Sequence, residues 1–532
     1  MSWREEVEGI AQRRQRALAH GGPEAVAQQH AKGRLTVRER IERFADAESF
    51  HEQGSIAGHS RRDDKGRLRE FTPGNYVLGI ARVAGRPCVI GGEDFTQRGG
   101  SPTPAGLRKS VYAESLAVHY RLPLVRLLEG GGGSVTGTLP ARAPKAEANA
   151  AQPARAAKPS GDPVHAPPRF RSIMQALATA PVASAALGPV AGFPAARLVA
   201  SHFSVMAQGT AQVMIGGPAL VARATGETTS KEQLGGAQVH SRSGVVDNLA
   251  RDEADALAQI RRFLSYLPTN VWELPPVRDC EDPPERREEA LLDIVPRDRR
   301  RIYDVRKLLR LICDRDSLFE MGAGFGRGQV TALAQMGGQP VGIWANDPRF
   351  YAGAMTAAGA RKARRFVDLC DTFHLPLIAF VDEPGFMIGS QSERAGTIRY
   401  GAEAIFAVQQ SRVPMASVIV RKSYGVAAAA HFGPEGYVLA WPSAEGGALP
   451  LEGGVAVAFR REIEAAEDPA ALRAELERGF AERRDPFARA EGFSVHDLID
   501  PRETRGRLCR WLEWCAPLLR EQVGPRGYSI RP

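Results

Sequence analysis

Apolar positions along this chain follow a helical spacing and then a continuous strand-like run, and the whole pattern occurs twice. Leu107 to Gly132 reads LRKSVYAESLAVHYRLPLVRLLEGGG, and Ala360 to Gly385 reads ARKARRFVDLCDTFHLPLIAFVDEPG. Each segment is a helix-like stretch, then Leu-Pro-Leu, then a short apolar run that breaks at glycine. Lys109 precedes Lys362 by 253 residues, and Pro123 precedes Pro376 by the same interval. A second apolar run follows in each copy, Pro181 to Gly192 and Pro414 to Gly425, and ends in a turn of small residues. The repeat predicts two copies of one α/β fold with glycine turns at strand ends, and one active site built from two matching halves.

Other elements fit around this frame. Residues 2–46 are predicted helical, with a break near Gly21-Gly22-Pro23, and residues 75–96 are predicted strands around Gly85-Arg86-Pro87. Gly342–Asn346 is matched to Gly91–Phe95, and Asp382-Glu383 to Leu128-Glu129. Pro123 and Pro181 are 58 residues apart, against 38 for Pro376 and Pro414, so the first copy carries an insertion. It falls in the Ala/Pro-rich tract 138–170, whose composition cannot build a core and predicts a mobile loop. Proline and charge concentrate from Pro275 to Glu288, which predicts two domains, 1–280 and 281–532. In the last predicted helix, 502–522, the stripe Leu508, Trp511, Leu512, Trp514 and Leu518 is expected to be a packing face.

Composition narrows the function classes. The chain has 532 residues, 43% apolar and 25% charged, enough for two large domains of an ordinary globular protein. A net charge of +9 suits a polyanionic small molecule such as coenzyme A, an acidic protein or nucleic acid. The basic residues are scattered without a nucleic-acid module, so no nucleic-acid partner is expected. No apolar run reaches the roughly 18 residues of a membrane span, and the N-terminus lacks a signal core. Six cysteines without a CxxC pair suggest thiols in a reducing, cytoplasmic setting. The histidines show no HxxxH or HExxH spacing, so no metal is expected. No GxxxxGK[ST] loop is present for ATP, and no GxSxG elbow for a serine nucleophile.

Motifs in order along the chain carry a resemblance to a family. Gly33-Arg-Leu-Thr-Val-Arg-Glu-Arg-Ile41, Asp94-Phe-Thr-Gln-Arg-Gly-Gly-Ser101, Gln233-Leu-Gly-Gly-Ala-Gln-Val-His240 with Ser243-Gly-Val245, and Tyr266-Leu-Pro268 come first. Tyr303-Asp-Val-Arg306, Gly342-Ile-Trp-Ala-Asn346 and Asp382-Glu-Pro-Gly-Phe386 follow. Together these resemble the carboxyltransferase (beta) subunit of biotin-dependent acyl-CoA carboxylases, the propionyl-CoA and methylcrotonyl-CoA carboxylase group. The resemblance implies two tandem crotonase-like domains. It also implies carboxyl transfer from carboxybiotin to the enolate of an acyl-CoA. Biotin would come from a biotin carboxylase or biotin carboxyl carrier subunit, because the AMKM attachment motif is missing here. Further implications are a homo-oligomer, dimer to hexamer, and a site between the first domain of one protomer and the second domain of another.

That chemistry needs backbone N–H groups at two developing oxyanions, and glycine turns supply them. Gly188-Pro-Val-Ala-Gly-Phe193 resembles the family's GPxAGG, which assigns Gly192 and Phe193 to the acyl thioester. Tyr424-Gly-Val-Ala-Ala428 resembles its YGGA, which assigns Gly425, Val426 and Ala427 to biotin. Gly131, Gly132 and Gly133, with Gly99 and Gly100, would border the acyl-CoA pocket; Ala429 would tune acyl size. His240 is a candidate lining residue and His431 a similar one, whereas His202 and His374 suit packing. The sequence departs from the family at Phe193, Val426, Pro194 and the missing arginine after Gly133. Two other functions stay open: a biotin-dependent acyl-CoA decarboxylase subunit, and a non-catalytic acyl-CoA-binding paralogue.

Overall fold

A computed structural model describes residues 2–133, 170–299, 301–482 and 485–527. The tract 138–170 therefore lies outside the described residues except for Phe170, which opens a helix, Phe170–Leu177. The described residues form two compact units, one of residues 2–271 with Gly527 and one of Trp272–Arg526. The Pro- and charge-rich stretch is packed onto the second unit. Arg278 N–H donates to Gly338 O at 3.1 Å. Arg505 Nε donates to Pro283 O at 2.9 Å, and an Asp282 carboxylate oxygen accepts from Arg315 N–H at 2.8 Å. Its prolines and charges thus serve a fixed wrapping rather than a loose linker.

The first unit is built on the strands β1 (His51–Glu52), β2 (Tyr76–Val83), β3 (Arg86–Glu93), β4 (Leu124–Gly130), β5 (Val182–Ala191), β6 (Phe203–Ala207), β7 (Gln212–Met214) and β8 (Asn248–Ala250). They run β1-β2-β3-β4-β5-β6-β8 across the sheet, with β7 beside the end of β5. The second unit repeats this with β9 (Phe319–Met321), β10 (Gln329–Met336), β11 (Gln339–Asn346), β12 (Leu377–Glu383), β13 (Met415–Tyr424), β14 (Tyr437–Ala440), β15 (Glu445–Gly447) and β16 (Asp497–Leu498). Its order is β9-β10-β11-β12-β13-β14-β16, with β15 beside the end of β13. In both sheets the first three strands are antiparallel and the rest parallel. The long parallel strands are buried on both faces and so read as continuous apolar runs.

Register corrects one expectation. Val89 pairs with Leu124, and Gly342 pairs with Leu377, so Gly342–Asn346 corresponds to Val89–Glu93. Matching glycine to glycine places the pairing two residues out. The true register makes Asn346 the counterpart of Glu93 and Asp382 the counterpart of Glu129. Both inner pairings slip at that last position, between Leu128 and Gly130 and between Val381 and Glu383.

Helices join the strands where capping residues allow. Thr36 and Glu39 form a capping box at α1 (Val37–Phe44). Thr103 caps α2 (Pro104–Tyr120), and Thr356 caps its counterpart α4 (Ala357–Thr372). A short helix, α3 (Phe193–Val199), follows β5, and α5 (Gly425–Ala428) follows β13. The terminal helix α6 (Thr504–Glu521) packs Leu508, Trp511, Leu512, Cys515 and Leu519 into the second core. Trp514 and Leu518 are exposed, which narrows the predicted stripe. No helix among the described residues is long and apolar enough to cross a membrane.

Candidate functional site

In the first unit, three backbone stretches meet at the carboxyl ends of β4 and β5. Gly192 ends β5 with φ 63° and ψ −127°, and α3 starts at the next residue with Pro194 in its first turn. Gly132 stands across from it: a Cβ there would lie 2.7 Å from Ala191 O and 3.3 Å from Gly192 Cα. Gly131 N–H donates to Gly99 O at 3.0 Å. A Cβ on Gly100 would lie 2.5 Å from Glu129 O. Gly99, Gly100, Gly131, Gly132 and Gly192 thus share one patch whose backbones touch, which only glycine permits. Gly133 continues it, with nothing within 4 Å of a Cβ there. The first N–H groups of a helix have no intrahelical partner. Among the described residues none accepts a hydrogen bond from the N–H of Gly192 or Phe193.

Buried charge fixes this turn from below. Arg126 reaches the far end of α3, where Nη1 donates to Arg197 O at 3.1 Å and Ala200 O at 2.9 Å. Glu114, on α2, accepts from Arg126 Nη2 at 3.2 Å and from Arg197 Nε at 2.9 Å. The Arg197 guanidinium lies 4.3 Å from the centre of the Phe193 ring, holding that ring against its own helix. At the slipped position of β4, Glu129 binds Arg34 at 2.5 Å, Arg40 at 2.7 Å and Gln29 at 2.7 Å. Gly188 is glycine because this carboxylate lies where a Cβ would be, 2.3 Å away.

His240 stands on the helix Ala237–Ser243. Its Nε2 bonds Val213 O at 2.6 Å and its Nδ1 faces Ser243 Oγ at 3.3 Å. Val213 belongs to β7, paired with Val190 of β5, so the ring ties down the strand beside the turn.

The second unit carries the same turn. Gly425 ends β13 with φ 63°, the angle of Gly192, and α5 starts there. Val426 is 65% exposed, Ala427 is buried and Ala429 is exposed. None of the described residues accepts a hydrogen bond from the N–H of Val426 or Ala427. Beneath lies a buried polar group. Glu383 accepts from Asn346 Nδ2 at 3.0 Å, Gly385 N–H at 3.0 Å and Met355 N–H at 3.2 Å. His431 Nε2 stands 3.3 Å from Glu383, and its ring packs 4.3 Å from that of Trp344. Burial raises the Glu383 pKa, with His431 and the two N–H donors opposing. His431 is fully buried, so it supports the turn from behind and does not line an open site.

Sequence reasoning missed the layer under the turns: Glu93, Glu114, Arg126, Arg197 and Asn346. The available signal was a charged or amide residue at the end of an apolar strand, such as Glu93 after Val89-Ile-Gly-Gly92.

Comparison with known proteins fits this geometry. The carboxyl transferase domain model matches residues 28–147 and 169–521. The chain belongs to that family. This carboxyltransferase is 33% identical to the propionyl-CoA carboxylase carboxyltransferase subunit of Haloferax mediterranei, over 96% of this chain and 95% of the relative. It is 31% identical to the methylmalonyl-CoA decarboxylase subunit alpha of Veillonella parvula, over 99% of both chains. Among solved structures, transcarboxylase 12S, a hexamer with methylmalonyl-coenzyme A and methylmalonic acid bound, superimposes with a TM-score of 0.83. That match has 31% identity and covers 100% of this chain and 97% of the other. The two repeated units are the two crotonase-like domains of this carboxyltransferase family.

Proposed function

We propose that this carboxyltransferase moves a carboxyl group between biotin on a partner subunit and the α carbon, or vinylogous γ carbon, of an acyl-CoA. The observation that carries the reading is the pair Gly192 and Gly425. Both have φ 63°, both end the same strand of the repeated sheet, and both precede residues with unpartnered N–H groups. The first turn then holds the thioester oxygen on Gly192 and Phe193. The second receives the biotin ureido oxygen on Gly425, Val426 and Ala427; Gly425 and Val426 are exposed, which leaves the backbone open to a planar ring. Biotin, when present, delivers the carboxyl group and takes up the α-proton. The chain itself needs no general base. Its glycine patch brings Gly99, Gly100 and Gly131–Gly133 against the acyl-CoA, and its backbone donors stabilise the enolate oxygen as charge develops. Phe193 and Val426 keep their N–H groups, so these departures alter the walls rather than the donors. Ala429, exposed beside the second turn, leaves room for an acyl group larger than acetyl.

The six free thiols suit a reducing, cytoplasmic setting. A biotin carboxylase or biotin carboxyl carrier subunit is the expected partner, and a hexamer the expected assembly, by likeness to the transcarboxylase core. The Veillonella relative keeps the decarboxylase direction as a second reading. Reverse transfer tests the chemistry: purified protein, free biotin, and malonyl-, methylmalonyl- and 3-methylglutaconyl-CoA. Biotin-dependent loss of the carboxyl group is expected. No loss with any ester, while CoA esters still bind, would make the chain a non-catalytic paralogue.

A further inference from the structure

A small cavity of about 20 Å³ lies behind the first glycine patch. Gly100 belongs to both, and Phe193, which follows Gly192, lines the cavity, so the cavity wall is continuous with the proposed acyl site. Its lining includes the apolar Pro102, Leu107 and Pro194. It also includes Glu93 and Arg197, 6% and 2% exposed. Arg197 has spent Nε on Glu114, but its Nη2 is buried without any hydrogen-bond partner among the described residues. A buried guanidinium N–H left unmade costs more than an ordinary bond contributes, so such a donor calls for an acceptor. The fold does not require it. The second unit, in the same register, has Ala430 where Arg197 stands and Asn346 where Glu93 stands.

We infer that this cavity receives the end of the substrate's acyl chain and that this end carries a small oxygen function, a hydroxyl or a carbonyl. The inference rests on the acyl-CoA reading above. The volume admits one or two heavy atoms, which excludes a terminal carboxylate or a long alkyl tail. Arg197 Nη2 donates to the incoming oxygen, and the Glu93 carboxyl exchanges a hydrogen bond with a hydroxyl. Pro102, Leu107 and Pro194 cover the methylenes that lead to it. A site built to bond an oxygen discriminates strongly against the analogue that lacks one, because its own polar groups are then stranded.

Matched esters test this. 3-Hydroxypropionyl-CoA and butyryl-CoA are nearly equal in size and differ by hydroxyl against methyl. Calorimetric titration of the full-length assembled protein should give a dissociation constant at least tenfold lower for the hydroxyl ester. Arg197→Met should remove that preference; because it also strips a partner from Glu114, Leu107→Phe serves as a second variant. It fills the cavity from α2 without touching the ion pairs, and should abolish the preference while leaving the melting temperature near wild type. Equal affinity of wild type for the two esters would overturn the inference and make the cavity the seat of a bound water on Arg197. Binding of neither ester would overturn the acyl-CoA reading itself. Binding of both without carboxyl transfer to either would overturn the carboxyltransferase chemistry and leave the cavity's preference to be read from the affinities.

Discussion

Glu93 and Asn346 hold the same backbone bond in the two units. Glu129 N–H donates to Glu93 Oε2 at 3.4 Å, and Asp382 N–H donates to Asn346 Oδ1 at 3.0 Å. Each bond secures the slipped residue beside the glycine turn. A neutral amide does this naturally in the second unit. In the first, burial pushes the Glu93 carboxyl above its ordinary range, with Arg197 and Arg126 opposing. A carboxyl oxygen and an amide oxygen accept the same bond, so the two side chains converge on one role.

Glu93→Gln should therefore stabilise the protein in a pH-dependent way. The folded pKa lies above the unfolded value near 4.5, so the native state binds the proton more tightly. Stability from this group is greatest below that pH and falls as pH rises through the folded value. Glutamine removes the decline. Urea denaturation at pH 4 and pH 8 should show the variant gaining on wild type at the higher pH. An identical difference at both would contradict a raised Glu93.

The glycine patch gives a paired test within two residues. Gly132→Ala places a Cβ 2.7 Å from Ala191 O at φ 75°, while Gly133→Ala meets nothing within 4 Å. The first should cost on the order of 1–3 kcal/mol and lower carboxyl transfer by displacing Gly192. The second should leave the melting temperature unchanged. Thermal unfolding of both variants decides, and equal effects would show that the strands separate easily at this end.

The repeat made the double α/β fold legible, because equal spacing of Lys, Pro and glycine turns reflects equal strand order. The glycine turns were legible for the same reason: only glycine tolerates the approach of Gly132 to Ala191. The register was not, since matching glycine to glycine ignored that Val89 and Gly342 occupy equivalent places beside Leu124 and Leu377. Trp514 and Leu518 showed the limits of periodicity, lying just outside the arc that Trp511, Cys515 and Leu519 bury. The charged layer was invisible because its partners are remote. Arg40 and Glu253 are 213 residues apart, and Arg34 and Glu129 are 95 apart. Each charge looks like surface until the fold brings its counter-charge.

Val426 separates backbone from side chain in the proposed biotin turn. It is exposed, so changes there spare the core. Val426→Gly keeps the N–H and should leave kcat within about threefold of wild type, if the donor alone acts. Val426→Pro removes the N–H at an early helix position that tolerates proline, and should lower kcat by about 10²–10³. Reverse carboxyl transfer with free biotin measures both. Equal rates for the two variants would remove Val426 N–H from the site.

Arg40 joins two carboxylates that are far apart in the chain, and its loss should expose how the first unit is braced. Its Nε and Nη2 hold Glu253 at 2.9 and 2.6 Å, and its Nη1 holds Glu129 at 2.7 Å. All three residues are buried, so removing the cation strands negative charge. Breaking such a group by one partner costs about 3–5 kcal/mol. Glu129 still has Arg34 and Gln29, whereas among the described residues Glu253 keeps only a long bond from Leu35 N–H at 3.4 Å. The cost of Arg40→Met should therefore sit mostly on Glu253. Adding Glu253→Met to Arg40→Met should recover part of the loss, because the stranded charge goes with it. Urea denaturation of the single and double variants provides the comparison. A double variant less stable than the single one would place the strain on Glu129 instead.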